Sequence, residues 1–148
     1  GVVNLDEIRS FVMADIPGLI EGASEGTGLG YEFLRHVERS KVLIHVLDAA
    51  GSEGRDPYKD FHIINNELEI YSPALAAKKQ IVAANKIDLI AESNILQELR
   101  RKIEAEGYQF FPICTLTGEG INPLLEAAWK ILQETPAVEF APTETTII

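Results

Sequence analysis

The chain has 148 residues, enough for one domain with a sizeable core, and its 46% hydrophobic and 24% charged residues exclude disorder throughout. A net charge of −10 works against a broad electrostatic grip on nucleic acid, and no apolar stretch approaches the ~20 residues that span a bilayer, so no membrane is implied. The single cysteine, Cys114, forms no internal disulfide, which fits a reducing, cytoplasmic compartment.

The chain opens on Gly1-Val2-Val3-Asn4, without an initiator Met and with Asp6 and Glu7 close behind. It carries no signal-peptide pattern and is expected to be a piece of something longer. Ser10–Ile16 is apolar and β-prone, and Pro17-Gly18 closes it, which predicts a strand feeding a loop. Five glycines between Gly18 and Gly30 suit a mobile loop. Tyr31–Ser40 reads as a helix, and Val42–Leu47 as a buried parallel strand containing one histidine, His45. Asp56-Pro57 is a helix start, followed by Phe61, Ile64, Leu68 and Tyr71 at helical spacing until Ser72-Pro73. Gln80–Ala84 is a second apolar strand. Ser93 or Asn94 caps the next helix, Ile95, Leu99 and Ile103 form its buried stripe, and Gly107 ends it. Gln109–Cys114 is a further strand. Asn122-Pro123 starts the last helix, with Leu125, Ala128, Trp129 and Leu132 facing inward. Residues 1–136 form the domain, and 137–148 read as a C-terminal tail or linker.

Strands alternating with helices predict an α/β fold, a mostly parallel sheet with helices on both faces. In such sheets ligands sit at the carboxyl ends of the strands. Asn85-Lys86-Ile87-Asp88 follows one strand directly. Guanine offers adjacent N1–H and N2–H₂ donors, and the Asp88 carboxylate can accept both. Asn85 can bond the base edge or tie neighbouring loops, and the Lys86 stem can lie along the base plane. Without a ligand, the same tetrapeptide is a capped turn with a solvated carboxylate. Asp15-Ile16-Pro17-Gly18 ends the first strand. A carboxylate there can hold Mg²⁺, directly or through water, and a glycine just after it lets a backbone N–H approach a phosphate. A third segment, Cys114-Thr115-Leu116, follows the last strand, where a backbone N–H can donate to guanine O6.

In this order the three segments resemble the third, fourth and fifth motifs of the Ras-like P-loop GTPases. The run Asp15-Ile16-Pro17-Gly18-Leu19-Ile20-Glu21-Gly22-Ala23, then Gly26-Thr27-Gly28-Leu29-Gly30 and Phe33-Leu34-Arg35-His36-Val37-Glu38-Arg39, narrows this to the Obg family of ribosome-associated GTPases. Gly54-Arg55-Asp56-Pro57-Tyr58 continues the resemblance, which extends to about Pro136. It implies a three-layer Ras-like fold and a parent protein that binds GTP and GDP with Mg²⁺. That parent is expected to hydrolyse GTP and to act as a switch in ribosome assembly, with the large ribosomal subunit as partner. Asp15 would meet the metal through water.

The sequence departs from that family in several places. No Gly-x-x-x-x-Gly-Lys-Ser/Thr occurs, so the phosphate-cradling loop is missing. The switch threonine, and the first strand and helix that accompany the loop, are missing too. The chain is therefore expected to be inactive in hydrolysis, since phosphoryl transfer rests on positioning and charge stabilisation. Leu19 stands where Ras-like enzymes place a water-orienting glutamine, and Cys114-Thr115 where relatives carry Ser-Ala; Cys114 reads as packing. In the implied fold the missing strand lies mid-sheet, and its absence exposes backbone groups on two facing strands. A missing N-terminal fragment, a second chain or a distorted sheet would answer this. The β-prone tail Thr143–Ile148 could also pair with the open edge.

Among the remaining residues, His36 reads as a polar helix-face residue and His45 as a hydrogen-bonded core histidine. Asp48 either braces the nucleotide pocket or caps a turn. Arg35, Arg39 and Lys41 form a basic cluster, either a solvated face or a ribosomal RNA contact. Two further readings stand beside the GTPase. One is a non-catalytic α/β interaction module that presents the Gly18–Gly30 loop to a partner. The other is a dinucleotide-binding domain, suggested by Gly26-Thr27-Gly28-Leu29-Gly30, although this run does not pass directly from a strand into a helix.

Overall fold

The computed structural model describes residues 1–15, 37–136 and 144–148. The expectations for Ile16, Pro17, Gly18, the glycine-rich loop and residues 31–36 therefore lie outside the described residues. Six strands form one sheet: β1 (Val2–Asn4), β2 (Ser10–Asp15), β3 (Val42–Asp48), β4 (Lys79–Asn85), β5 (Gln109–Pro112) and β6 (Glu144–Ile147). Their spatial order is β1-β2-β6-β3-β4-β5. All neighbours are parallel except β1, which pairs antiparallel with β2. The helices are α1 (Pro57–Tyr71), the short α2 (Pro73–Ala76), α3 (Ser93–Ala105) and α4 (Ile121–Glu134).

The mostly parallel, three-layer fold read from the sequence is present. Alternation along β3 and β4 divides the core. Val42, Ile44, Ile81 and Ala83 face one way and pack on Leu124, Ala128, Ile131 and Leu132 of α4. Leu47, Val82 and Ala84 face the other way and meet Phe61 of α1 and Leu99 and Ile103 of α3. Leu43 joins Val37, Leu68 and Leu75 in a smaller cluster.

The helix starts follow from local chemistry. Asp56 Oδ1 accepts from the Tyr58 and Lys59 amides at 2.8 and 3.1 Å, and Pro57 begins α1. Ser72-Pro73 ends that helix and opens α2. α3 begins after Glu92 rather than at a Ser93 or Asn94 cap, and it has no side-chain cap bond. Ile95 is 51% exposed, not part of the buried stripe. Leu96 packs against the core in its place, because positions 96, 99 and 103 keep closer to one face than 95, 99 and 103 do. α4 starts one residue before the predicted Asn122-Pro123, with Gly120 as its N-cap. Its buried line is Leu124, Ala128, Ile131 and Leu132, and Leu125 and Trp129 lie at the margin.

Two features reorganise the sequence reading. β1 is too short for a periodic signal. It exists because Asp6 Oδ1 accepts from the amides of Ile8 and Arg9 at 2.9 and 2.8 Å, closing the turn between β1 and β2. Arg9 then reaches α4, donating to both carboxylate oxygens of Glu126 at 2.8 and 2.9 Å. The second feature is the tail. Glu144–Ile147 lies between β2 and β3 and pairs with both, Thr145 standing opposite Met13 on one side and Val42 on the other. The Ile148 amide donates to Ile44 at 2.9 Å, and the Val46 amide donates to Ile148 at 2.8 Å. The chain's own tail thus forms a central strand between β2 and β3.

Candidate base-recognition site at the strand ends

β3, β4 and β5 finish side by side, and the residues that follow them converge. Asn85 is the last residue of β4 and stands in register with Asp48, the last of β3. Its Oδ1 accepts from the Thr115 amide at 3.1 Å, and its Nδ2 donates to Thr115 Oγ1 at 3.3 Å. The Asn85 carbonyl accepts from Ala49 at 3.0 Å. Asn85 therefore ties the loop after β5 and the loop after β3 to the end of β4.

Lys86 has φ 65°, the left-handed region that few side chains occupy without a local reason. This turn carries the chain out of the strand and into a 3₁₀ turn, Ile87–Leu89, that presents Asp88. Asp88 is exposed, and its Oδ1 accepts from Cys114 Sγ at 3.4 Å. Cys114 is buried. Read from sequence as packing, it also bonds the carboxylate that the guanine reading depends on.

The loop after β5 returns on itself through the Cys114–Glu119 bridge. Gly120 closes it at φ +76°. A Cβ there would lie 2.1 Å from the Pro112 carbonyl oxygen, so only glycine fits. Leu116 points to solvent at 89% exposure. Ile87 is half-buried, and its amide meets the Ile113 carbonyl at 3.4 Å.

Asp48 caps a turn, one of its two sequence readings. Its carboxylate accepts from the Ala50 amide at 3.2 Å and the Ser52 amide at 3.1 Å, which caps the turn. Its Oδ2 also meets Lys86 Nζ at 3.0 Å. Ser52 Oγ donates to the same oxygen and lies 2.9 Å from Lys86 Nζ. Partial burial pushes the Asp48 pKa up, but the Ser52 hydroxyl and the Lys86 ammonium outweigh it and hold the carboxyl below its ordinary value. Sequence reasoning missed Ser52. A small polar residue four positions after a strand-end carboxylate was the available signal.

Asp15 ends β2, two strands beyond β3. At about 4.8 Å per strand step it stands roughly 14 Å from β4 across the sheet, too far to touch Asn85 or Asp88. Ile147 of β6 is its register partner. Among the described residues no group of three His, Cys, Asp or Glu side chains is placed to hold a metal. Asp15 stands at the end of its strand as an exposed carboxylate.

His45, buried in β3, is a core histidine as the sequence suggested. Gln80 Nε2 donates to Asn65 Oδ1 at 2.9 Å, and the Asn65 amide faces Gln80 Oε1 at 3.4 Å. Gln80 Oε1 is thus the acceptor for His45 Nδ1–H at 3.0 Å. Burial lowers the imidazole pKa to about 4, with the Gln80 bond opposing, so the ring is neutral near pH 7.

The model of the 50S ribosome-binding GTPase family matches residues 1–86, more than half of the chain. The chain belongs to this family. It is 56% identical over 148 residues to a GTPase Obg of Symbiobacterium thermophilum, covering 100% of this chain and 35% of that protein. It is 52% identical over 134 residues to a GTPase Obg of Aquifex aeolicus, covering 90% of this chain and 39% of that one. These similarities support the Obg resemblance read from the loop sequence. The chain spans about a third of the length of these curated relatives. Among solved structures it resembles a single-site variant of Aquifex aeolicus Era bound to GDP.AlF4-, with TM-score 0.68 and 26% identity over 94% of this chain and 44% of that one. The family's fold and this chain's sheet agree.

Proposed function

We propose that this chain is the guanine-reading section of a GTP-binding and GTP-hydrolysing switch protein that acts in ribosome assembly in the cytoplasm. The observation that carries the reading is the lock between Asn85 and Thr115, with Asp88 presented beside it. The Asp88 carboxylate, open to solvent, can accept from the adjacent N1–H and N2–H₂ donors of guanine, a pair that adenine does not share. Asn85, Lys86, Ile87, Asp88, Cys114, Thr115 and Leu116 form the base site. Asp15, Ile16, Pro17 and Gly18 serve the phosphate end, with Asp15 holding Mg²⁺ through water. The distance from Asp15 to β4 fits a nucleotide lying across the strand ends, its base at β4 and β5 and its phosphates toward β2.

Hydrolysis and the large-subunit partner belong to the longer protein. The chain contains no phosphate-cradling loop, so GDP is expected to bind weakly and GTP to persist. An N-terminal segment or a second chain carrying that loop would complete the site, and it would compete with β6 for the central slot. Titration with labelled GDP, ATP and NAD tests the reading. Preference for GDP is expected, preference for NAD would sink it, and no binding of any nucleotide would favour the interaction-module reading.

A further inference from the structure

We propose that Asp48 and Ser52 are positioning residues for base recognition, clamping the Lys86 ammonium so that its stem bridges the ends of β3 and β4 as one wall of the purine site. The inference rests on the guanine reading above and assigns it two further residues.

Lys86 leaves β4 in a left-handed conformation that favours glycine. Its long stem would otherwise sample many rotamers, and a flat surface for a ring requires one of them. Two acceptors remove that freedom. Asp48 Oδ2 lies 3.0 Å and Ser52 Oγ 2.9 Å from Nζ, and the Ser52 hydroxyl donates to the same Asp48 oxygen. The ammonium is thus held at two points from a different strand end.

The clamp is itself braced. The Ser52 amide donates to Asp48 Oδ2, the Ala50 amide to Oδ1, and the Gly51 amide to the Asp48 carbonyl at 3.1 Å. Gly51 sits at φ +59°, and a Cβ there would lie 2.7 Å from the Arg55 carbonyl oxygen. The turn that carries Ser52 therefore has one tight shape. The Ala49 amide bonds the Asn85 carbonyl, which joins this turn to the base-reading motif. A structural cap alone needs only the backbone donors. Converging on the lysine adds a task beyond capping.

The test is a GDP titration followed by NMR to millimolar ligand, using the 148-residue chain. Asp48→Asn keeps a capping oxygen and loses the charge, and is expected to weaken GDP binding roughly fivefold. Ser52→Ala is expected to weaken it about twofold, with Ser52→Thr restoring it. Lys86→Met keeps most of the stem and removes the ammonium. In that background Asp48→Asn is expected to add nothing, because its effect runs through the lysine. A loss from Asp48→Asn that persists beside Lys86→Met, or Asp48→Asn binding equal to wild type, overturns the proposal. If the unaltered chain does not respond to GDP, the guanine reading fails, and the Lys86 ammonium signal of the free chain decides the clamp. A slowed, hydrogen-bonded ammonium that Asp48→Asn releases supports it, and free rotation in the unaltered chain overturns it.

Discussion

The two halves of the sheet are built to different standards. β3 and β4 pair over seven residues each, from Val42 opposite Lys79 to Asp48 opposite Asn85, with aliphatic side chains on both faces. β6 offers four residues, two of them fully buried threonines. The Thr146 hydroxyl bonds Ser40, but Thr145 Oγ1 is buried without a hydrogen-bond partner among the described residues. A mid-sheet slot is filled chiefly because its backbone groups must be paired. β-branched residues satisfy the backbone geometry even where their hydroxyls suit the core badly. The candidate base site stands on the better-built half.

The largest effect should come from cutting into that half. Ile81→Ala removes a buried side chain from the centre of the core, at an expected cost of about 2–5 kcal/mol in urea unfolding. The corresponding change in the other half, Ile147→Ala, removes a half-buried side chain and should cost clearly less. Equal costs would erase the contrast between the halves.

Acid should act on the same half through His45. Its folded pKa, about 4, lies below the ordinary value of 6.5, so the unfolded chain binds the proton first. Stability is full above pH 6.5, declines as pH falls toward 4, and loses on the order of 3 kcal/mol from this residue. Unfolding curves of the wild type and His45→Gln between about pH 7 and pH 4 check this, and a variant with an unchanged pH slope would refute it.

Thr145→Val should stabilise the weaker half. It keeps the β-branched shape and removes the unpartnered hydroxyl, with an expected gain of about 1 kcal/mol by thermal or urea melting. A loss would mean that the hydroxyl has a partner in solution. The smallest effect concerns the site. Cys114→Ala removes one weak donor to Asp88 and should lower GDP affinity by no more than a few-fold, with Cys114→Ser restoring it.

Much of this protein was written locally. Asp56-Pro57 announces α1 and Gly107 ends α3, because capping and left-handed turns are decided within a few residues. The alternation of apolar runs with amphipathic stretches specifies the parallel three-layer sheet, and Asn85-Lys86-Ile87-Asp88 at a strand end marks the candidate base site. Tertiary structure decided what depends on distant partners. The tail sequence offers β propensity, but only the gap between β2 and β3 makes Glu144–Ile147 a central strand. Cys114 is a packing residue in sequence and a donor to Asp88 in space, 26 positions away. Asp48, Ser52 and Lys86 meet because β3 and β4 end in register, a result of sheet pairing that no single segment encodes.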